Sequence, residues 1–174
     1  AANISPQAML SVAGLDAKKV DKFCTQAKSE TGADEVCQIS NYLFTKGFTI
    51  GGTKAAVERC QALCEKGKAL QARLIKAGGG FHTPLMAPAR QRLEAKLQEL
   101  LPRMSRPRCK VFLNVDAKPV DWDTDPRKIA EALAQQLTSP VRWQDTVAGM
   151  IADGAEDFYE CGPMKQLKAM MKRI

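Results

Sequence analysis

The sequence has 174 residues, 45% hydrophobic and 26% charged, the proportions of a globular domain. Lys and Arg outnumber Asp and Glu by 26 to 19, for a formal charge of +7, which favours acidic or phosphorylated partners. Aromatic residues make up only 6%, and no zinc finger or RNA-stacking motif is present, so nucleic acid is not an expected partner. No apolar run approaches the roughly 18 residues that cross a bilayer, and a soluble protein without a transmembrane segment is expected.

Strand-like and helix-like segments alternate in the first part of the chain. The strand-like segments are at 8–14, 35–42, 47–52 and 69–75. One helix is predicted from Asp16, and a second carries an apolar stripe made of Val57, Cys60, Leu63 and Cys64. The order βαββαβ is typical of a ferredoxin-like unit, which we assign to a small subdomain at 6–76.

Beyond residue 77 the pattern is one of helices separated by short apolar segments. A leucine stripe at 93–101 predicts one helix, Asp125 and Pro126 predict the start of another, and apolar stripes at 143–151 and 167–174 predict two more. Strands are predicted at 110–115 and 157–161. Together these elements predict part of an α/β sheet at 77–174, in a chain of α/β class with an α+β small lobe.

The cysteines do not have the spacing of a disulfide-rich scaffold. They are Cys24, Cys37, Cys60, Cys64, Cys109 and Cys161. No pair forms a CxxC motif, and zinc would require more ligands than one histidine and scattered thiols provide. The sequence therefore predicts reduced cysteines, no metal site and a reducing compartment, either the cytoplasm or an organelle matrix such as the plastid stroma or mitochondrion.

Two glycine-rich segments suggest close backbone packing. "IGGTKAA" (50–56) lacks phosphate-loop spacing, so a tight turn is predicted there. "GGG" at 78–80 predicts a chain reversal next to another group. It precedes His82, the only histidine in the sequence. A lone histidine is more often structural than catalytic, and the sequence contains no G-x-S-x-G elbow to supply a serine nucleophile.

Several motifs in order resemble the malonyl-CoA:acyl carrier protein transacylase family. "GGFHTPLMAPARQRL" is similar to the family's histidine motif, and "NVDAKPV" (114–120) to a strand end. "QLTSPVRW" (136–143) and "YECGPMKQLKAMMKRI" (159–174) resemble two further family segments, and 39–52 the end of the small subdomain. The resemblance covers nearly the whole chain from about residue 6. It implies that 77–174 is the C-terminal part of an α/β-hydrolase-like acyltransferase core.

The family resemblance also implies roles for individual residues. His82 would take the proton of a catalytic serine and later activate the incoming thiol, with its imidazole held by the backbone carbonyl of Gln136. Phe81 and Asn41 would lie at the substrate. No bound cofactor is implied, because malonyl-CoA is the substrate and the acceptor is the phosphopantetheine thiol of acyl carrier protein, for fatty-acid or polyketide synthesis. Basic residues of the last helix could dock this acidic carrier or simply form a solvated face: Lys165, Lys168, Lys172 and Arg173.

The sequence also departs from the family. Its serine elbow "GHSxGE", its "GQGxQ" loop and the arginine of "MRG" do not occur here, and Phe48 and Met164 replace a customary glutamine and glycine. Two hypotheses follow. Either the chain acts in a transacylase whose serine comes from a segment or chain outside this sequence, or it is a catalytically inactive, structural or carrier-binding subunit of a larger assembly, possibly in an organelle.

Overall fold

A computed structural model describes residues 6–174 and begins with a four-stranded antiparallel sheet. The strands are β1 (Gln7–Ala13), β2 (Cys37–Phe44), β3 (Gly47–Thr53) and β4 (Gln71–Ile75), in the order β2-β3-β1-β4. Helix α1 (Ala17–Thr31) follows β1, and helix α2 (Lys54–Lys66) follows β3. The predicted βαββαβ order is present, and the strand ends shift by at most two residues.

One face of this sheet forms the main core with both helices. Asp16 caps α1 by accepting a 2.8 Å hydrogen bond from the Lys19 amide, as expected for Asp before a helix. Successive strand side chains point to opposite faces, so alternate apolar residues meet the helices. The fully buried members of this core are Leu10, Val12, Val20, Cys24, Ala27, Ile50, Ala56, Val57, Cys60 and Cys64.

The opposite face of the sheet is more polar and carries the histidine segment. Ser40 and Thr49 lie in β2 and β3 between core residues, and both are buried. The Ser40 hydroxyl lies 3.0 Å from the Thr49 carbonyl oxygen, which satisfies it without water. The segment after β4 turns back across this face. One face of the sheet therefore packs against the two helices, and the other packs against the histidine segment.

The second part of the chain is mainly helical. It contains α3 (Ala87–Leu100), α4 (Pro126–Gln135), α5 (Trp143–Ala152) and α6 (Gln166–Met171). The predicted start of α4 is confirmed, with Asp125 accepting a 2.8 Å hydrogen bond from the Arg127 amide and Pro126 in the first turn. Leu97 of α3 packs against Ala130 and Ala134 of α4 in a small second core. Among residues 6–174, no helix is both long and apolar enough to cross a membrane.

Of the two strands predicted for this part, one is much shorter than predicted and the other is not a strand. The segment predicted at 110–115 forms only β5 (Val111–Phe112), paired antiparallel with β6 (Pro119–Val120). Residues 157–161 form no strand. A β-strand needs a hydrogen-bonded neighbour, and among the described residues β6 pairs only with Val111 and Phe112, while none pairs with 157–161. Within 6–174 the extended sheet is therefore the four-stranded antiparallel one alone.

The predicted turn at "IGGTKAA" is also wrong. Gly51 and Gly52 lie inside β3, and α2 starts directly after Thr53. A Cβ on Gly52 would collide with the carbonyl of Val36, and one on Gly51 would lie 2.9 Å from Thr83 Cγ2. Glycine in a strand interior often marks a close approach of another backbone, and that approach is its use here.

Candidate active site

The histidine segment packs on the polar face of the sheet immediately after β4. The Gly80 amide donates a 2.7 Å hydrogen bond to the Gln7 side chain in β1. A Cβ on Gly80 would lie 3.3 Å from the Gly52 carbonyl oxygen and 3.0 Å from Leu85 Cδ1, so the chain passes close to β3. The predicted close approach of the glycine-rich segment is confirmed for Gly80, whereas Gly78 faces open space.

Thr83 holds the histidine segment in place through its buried side chain. It is fully buried, and its hydroxyl donates a 2.6 Å hydrogen bond to the Gly80 carbonyl. The same oxygen accepts a 3.3 Å hydrogen bond from the Leu85 amide at the start of the short 3₁₀ turn Pro84–Met86. Both ends of the turn around His82 are thereby tied to one buried side chain.

His82 has a left-handed backbone conformation, with φ at 59°. Such values are uncommon for residues other than glycine, although histidine adopts them more often than most. The His82 carbonyl accepts a 3.1 Å hydrogen bond from the Gln38 side chain of β2. This contact, together with the Thr83 anchor, holds a conformation that costs free energy by itself.

The ring of His82 meets the backbone of Gln136. Its Nδ1 lies 2.8 Å from the Gln136 carbonyl oxygen, the contact that the family resemblance implied. A carbonyl can only accept, so Nδ1 carries the hydrogen in this contact. In the neutral ring Nε2 then has its lone pair free to take a proton.

Gln136 reaches this position because the chain after α4 returns to the edge of the sheet. The Val141 amide donates to the Ser40 carbonyl, and the Tyr42 amide donates to the Val141 carbonyl, each at 2.8 Å. The Arg142 amide then donates a 3.0 Å hydrogen bond to the Asn114 carbonyl. The segment 136–142 therefore spans from the histidine to the outer edge of β2, a pairing that the sequence reasoning missed.

The two residues predicted at the substrate lie on either side of this region. Phe81 precedes the histidine and is 43% exposed. Asn41 lies in β2, where its side-chain oxygen accepts a 2.9 Å hydrogen bond from the Ser40 hydroxyl. Among the hydrogen bonds of the described residues, none joins the Asn41 side chain to His82. Their roles toward a substrate stay predictions.

The predicted docking residues are only partly brought together. Lys165, Lys168 and Lys172 line a shallow groove of about 660 Å³. The apolar part of its lining comes from Trp143, Phe158, Tyr159, Met164, Leu167 and Met171. Arg173 instead stacks over the Phe44 ring, with its guanidinium carbon 3.6 Å from the ring centre. A cation held on an aromatic face is less available to an incoming partner than the three lysines.

Two positions that the sequence reasoning did not single out support the site. Gln38 holds the His82 carbonyl, and Gln7 holds the Gly80 amide. Both are polar residues on strands whose neighbours are apolar. Gly51 and Gly52 of β3 are the sequence signal that could have predicted the packing of the histidine segment, because two glycines in a strand leave space for another backbone segment.

The described residues provide a base without its own nucleophile. Ser40 is the buried serine of this face, but its hydroxyl contacts both the Thr49 carbonyl and the Asn41 side chain. It is thus satisfied within the sheet. The arrangement can accept a proton from a hydroxyl or thiol presented to Nε2 of His82, and its carbonyl contact would stabilise the imidazolium that forms.

Comparison with known proteins gives no matching family model. The sequence is 36% identical over 167 residues to a malonyl CoA-acyl carrier protein transacylase of Haemophilus influenzae, covering 96% of this chain and 51% of that protein. It is 33% identical to the human mitochondrial malonyl-CoA-acyl carrier protein transacylase, covering 96% of this chain and 44% of that one.

Solved structures similar to this chain are of the same kind of protein as its sequence relatives. An acyl carrier protein S-malonyltransferase from Vibrio cholerae superposes with a TM-score of 0.87 at 36% identity, covering 98% of this chain and 54% of that one. A malonyl-transacylase in complex with a type II PKS acyl-carrier protein has a TM-score of 0.87 at 29% identity, covering 97% and 52%. The chain spans about half the length of the relatives that it matches. Over that shared length, the chain belongs to the malonyl-CoA:acyl carrier protein transacylase family.

Proposed function

We propose that this chain supplies the histidine of a Ser–His acyl-transfer site that moves malonyl between CoA and the phosphopantetheine thiol of acyl carrier protein. The observation that carries the proposal is the 2.8 Å contact between His82 Nδ1 and the Gln136 carbonyl oxygen. It orients the ring as a base in the way that a carboxylate does in a serine triad. Family membership and the motif around His82 support the same reaction.

The reaction needs a serine from outside these 174 residues, because the sequence has no serine elbow. His82 Nε2 removes the hydroxyl proton as the serine oxygen attacks the malonyl thioester. The C–S bond then breaks, and the imidazolium returns the proton to the CoA thiolate. In the second half, the neutral ring takes the proton of the phosphopantetheine thiol, whose sulfur attacks the malonyl ester. The C–O bond to the serine then breaks, and the imidazolium returns the proton to the serine oxygen.

The finer sequence predictions belong to this proposal. We assign 6–76 to a ferredoxin-like small subdomain and 77–174 to part of an α/β-hydrolase-like core whose sheet is completed by strands outside this sequence. Phe81, exposed beside the histidine, would face the malonyl group, and Asn41 would face the same cleft from β2. The free state of all six cysteines supports a reducing compartment, the cytoplasm or an organelle matrix.

Acyl carrier protein is the proposed macromolecular partner. The net charge of +7 and the three lysines along the C-terminal groove favour an acidic partner, and one structural relative was solved with its carrier. Arg173 is the weakest member of the predicted docking set, because it already stacks on Phe44.

The alternative is a catalytically inactive, acyltransferase-derived subunit that is structural or binds the carrier. The observation favouring it is the departure from family motifs at Phe48 and Met164, together with the lack of a serine elbow in this sequence. The two functions differ in one measurable respect. An inactive subunit binds carrier without any dependence on the His82 ring.

The deciding experiment is a malonyl-transfer assay from malonyl-CoA to acyl carrier protein, using the natural protein together with the segment or chain that bears the serine, with and without His82→Ala. A general base contributes about 10²- to 10⁴-fold, so the variant should lose transfer by that factor. Gln91→Ala, an exposed change on α3, is the matched control and should transfer normally. Absence of transfer by the natural protein, with carrier binding equal in both, would favour the inactive subunit.

A further inference from the structure

Three cysteines that are far apart in the sequence meet in the core of the small sheet. Cys24 lies on α1, Cys37 begins β2 and Cys60 lies on α2. Their sulfur atoms all lie within 4.8 Å of one another, and those of Cys24 and Cys60 are 3.8 Å apart. The exposed fractions of the three residues are 1%, 8% and 0%. The sequence-based view of scattered thiols is therefore wrong for this trio.

The distance between two of the sulfurs matches a planar three-coordinate metal. A metal–thiolate bond is about 2.3 Å long, so three sulfurs placed symmetrically around one ion lie about 4.0 Å apart. The separation between Cys24 and Cys60 is within a few tenths of that value, and the Cys37 sulfur lies within 4.8 Å of both.

The chemistry of this pocket selects a soft cation. Every ligand atom of the group is sulfur, and among the described residues no histidine or carboxylate joins it. Hard cations prefer oxygen ligands, and structural zinc takes four ligands in a tetrahedron. Cys64 follows Cys60 by one helical turn and is also buried, but it lies outside the trio. A thiophilic ion that accepts three thiolates, Cu(I), fits this set best.

Cys37 is the member of the trio that an ion could reach first. It is 8% exposed, against 1% for Cys24 and 0% for Cys60. It also begins strand β2, whereas the other two lie within helices. An ion arriving from solvent would therefore meet the Cys37 sulfur before the other two.

We propose that Cys24, Cys37 and Cys60 form a Cu(I)-binding site in the core of the small subdomain, separate from the His82 region. The ion replaces thiol protons, which pass to solvent, and no change of oxidation state is needed. Because it would join α1, β2 and α2, binding should stabilise the folded protein by mass action. The site does not depend on the proposed transacylase activity.

The test is an anaerobic titration of the reduced protein with Cu(I) against a chromophoric Cu(I) chelator. The parent is Cys109→Ala/Cys161→Ala, which removes the two exposed thiols. We expect one ion per chain, and X-ray absorption of the loaded protein should show three sulfur neighbours. Cys37→Ala should weaken binding by more than about 100-fold, beyond the upper range for losing an outer partner of a ligand. Cys64→Ala is the matched buried control. Its thiol contacts Cys60 from outside the trio, so its loss should weaken binding by no more than about 100-fold.

Two results would overturn the site. They are failure of the parent to compete with the chelator, and equal losses of binding in Cys37→Ala and Cys64→Ala. Circular dichroism establishes that each variant is folded. If Cys37→Ala unfolds, the sulfur count of the loaded parent decides, and fewer than three sulfurs rejects the proposal.

Discussion

Val141 pairs in parallel with Asn41 at the outer edge of the four-stranded sheet. Val141 itself belongs to no strand, yet this single bridge connects the segment after α4 to β2. Gln136, five residues before Val141, thereby reaches the ring of His82 across a sequence separation of 54 residues. The orientation of the proposed base thus depends on backbone groups of the segment "QLTSPVRW" (136–143), which the pairing with β2 brings to the histidine.

Replacing the Gln136 side chain should leave the histidine contact intact. The acceptor is the backbone carbonyl, so Gln136→Ala keeps the 2.8 Å hydrogen bond to Nδ1. We expect malonyl transfer within about threefold of the natural protein, since a surface change rarely costs more than about 0.5 kcal/mol. Nitrogen NMR of the ring should still report a hydrogen on Nδ1. A shift to the other tautomer would show that the side chain, not the carbonyl, orients the ring.

Val141→Pro should have the opposite effect, because it removes the amide that donates to the Ser40 carbonyl. Proline in a paired segment loses a ladder hydrogen bond, and the edge should separate from β2. We expect the protection of the Tyr42 amide from hydrogen exchange to fall and malonyl transfer to drop at least tenfold, an amount equivalent to about 1.4 kcal/mol in the barrier. Val141→Ala keeps the amide and is the control. Equal losses in the two variants would assign the effect to the side chain.

Gly51→Ala tests the packing of the histidine segment on β3. The added Cβ would lie 2.9 Å from Thr83 Cγ2 and 3.1 Å from the Phe81 carbonyl oxygen. Such overpacking costs about 1–3 kcal/mol, which urea denaturation would detect as a lower midpoint. Gly78 lies in the histidine segment itself, but a Cβ added there would meet nothing within 4 Å. The urea midpoint of Gly78→Ala should therefore barely change. Equal midpoints for both variants would contradict the close packing of Thr83 on β3.

The lysines of the C-terminal groove should control carrier binding. Changing Lys165, Lys168 and Lys172 together to Glu places negative charge along the groove, and we expect weaker binding with a smaller dependence on salt. Calorimetry with acyl carrier protein at two ionic strengths measures both. Lys18→Glu, Lys22→Glu and Lys28→Glu, all exposed on α1, make the same change in net charge elsewhere. If both sets of substitutions weaken carrier binding equally, the effect comes from the net charge of the protein and not from the groove.

The hydrogen bonds between Glu160 and the start of α6 should depend on pH. Its carboxylate accepts 3.0 Å hydrogen bonds from the Leu167 and Lys168 amides. These bonds lower the pKa of Glu160, so their contribution is present above the unfolded-state pKa of about 4.3 and is lost as pH falls through the lower folded value.

Proton NMR of the two amides tests this relationship. Both should titrate together in the acid range, below pH 4.3 or so. Glu160→Gln should abolish the titration and give shifts at neutral pH close to those of the acid form. Glu156→Gln, on the same exposed segment, is the control and should leave the titration unchanged. Amide shifts in Glu160→Gln that still titrate would rule out the carboxylate as their partner.

The periodicity of the first 76 residues was sufficient to predict the order of its elements. Apolar residues alternate along β1 and β3 and recur every three to four residues along α1 and α2, because the same core must be covered by both. The Asp125–Pro126 start of α4 was also predictable, since a helix needs a local cap. These features depend on neighbours within a few residues. The strand predicted at 157–161 is wrong because a strand also needs a hydrogen-bonded neighbour, and none of the described residues pairs with this segment.

The sequence by itself determined the order of the elements in the first 76 residues, the start of α4, the motif around His82 and its family resemblance, because helix caps, apolar periodicity and short motifs are local properties. Only the tertiary structure decided which distant groups meet. The Gln136 carbonyl beside His82, Thr83 above Gly51, and the sulfurs of Cys24, Cys37 and Cys60 are all joined through strand pairing and helix packing. Such contacts are set by the register of the sheet and by the packing of the helices on it, and no spacing along the chain encodes them.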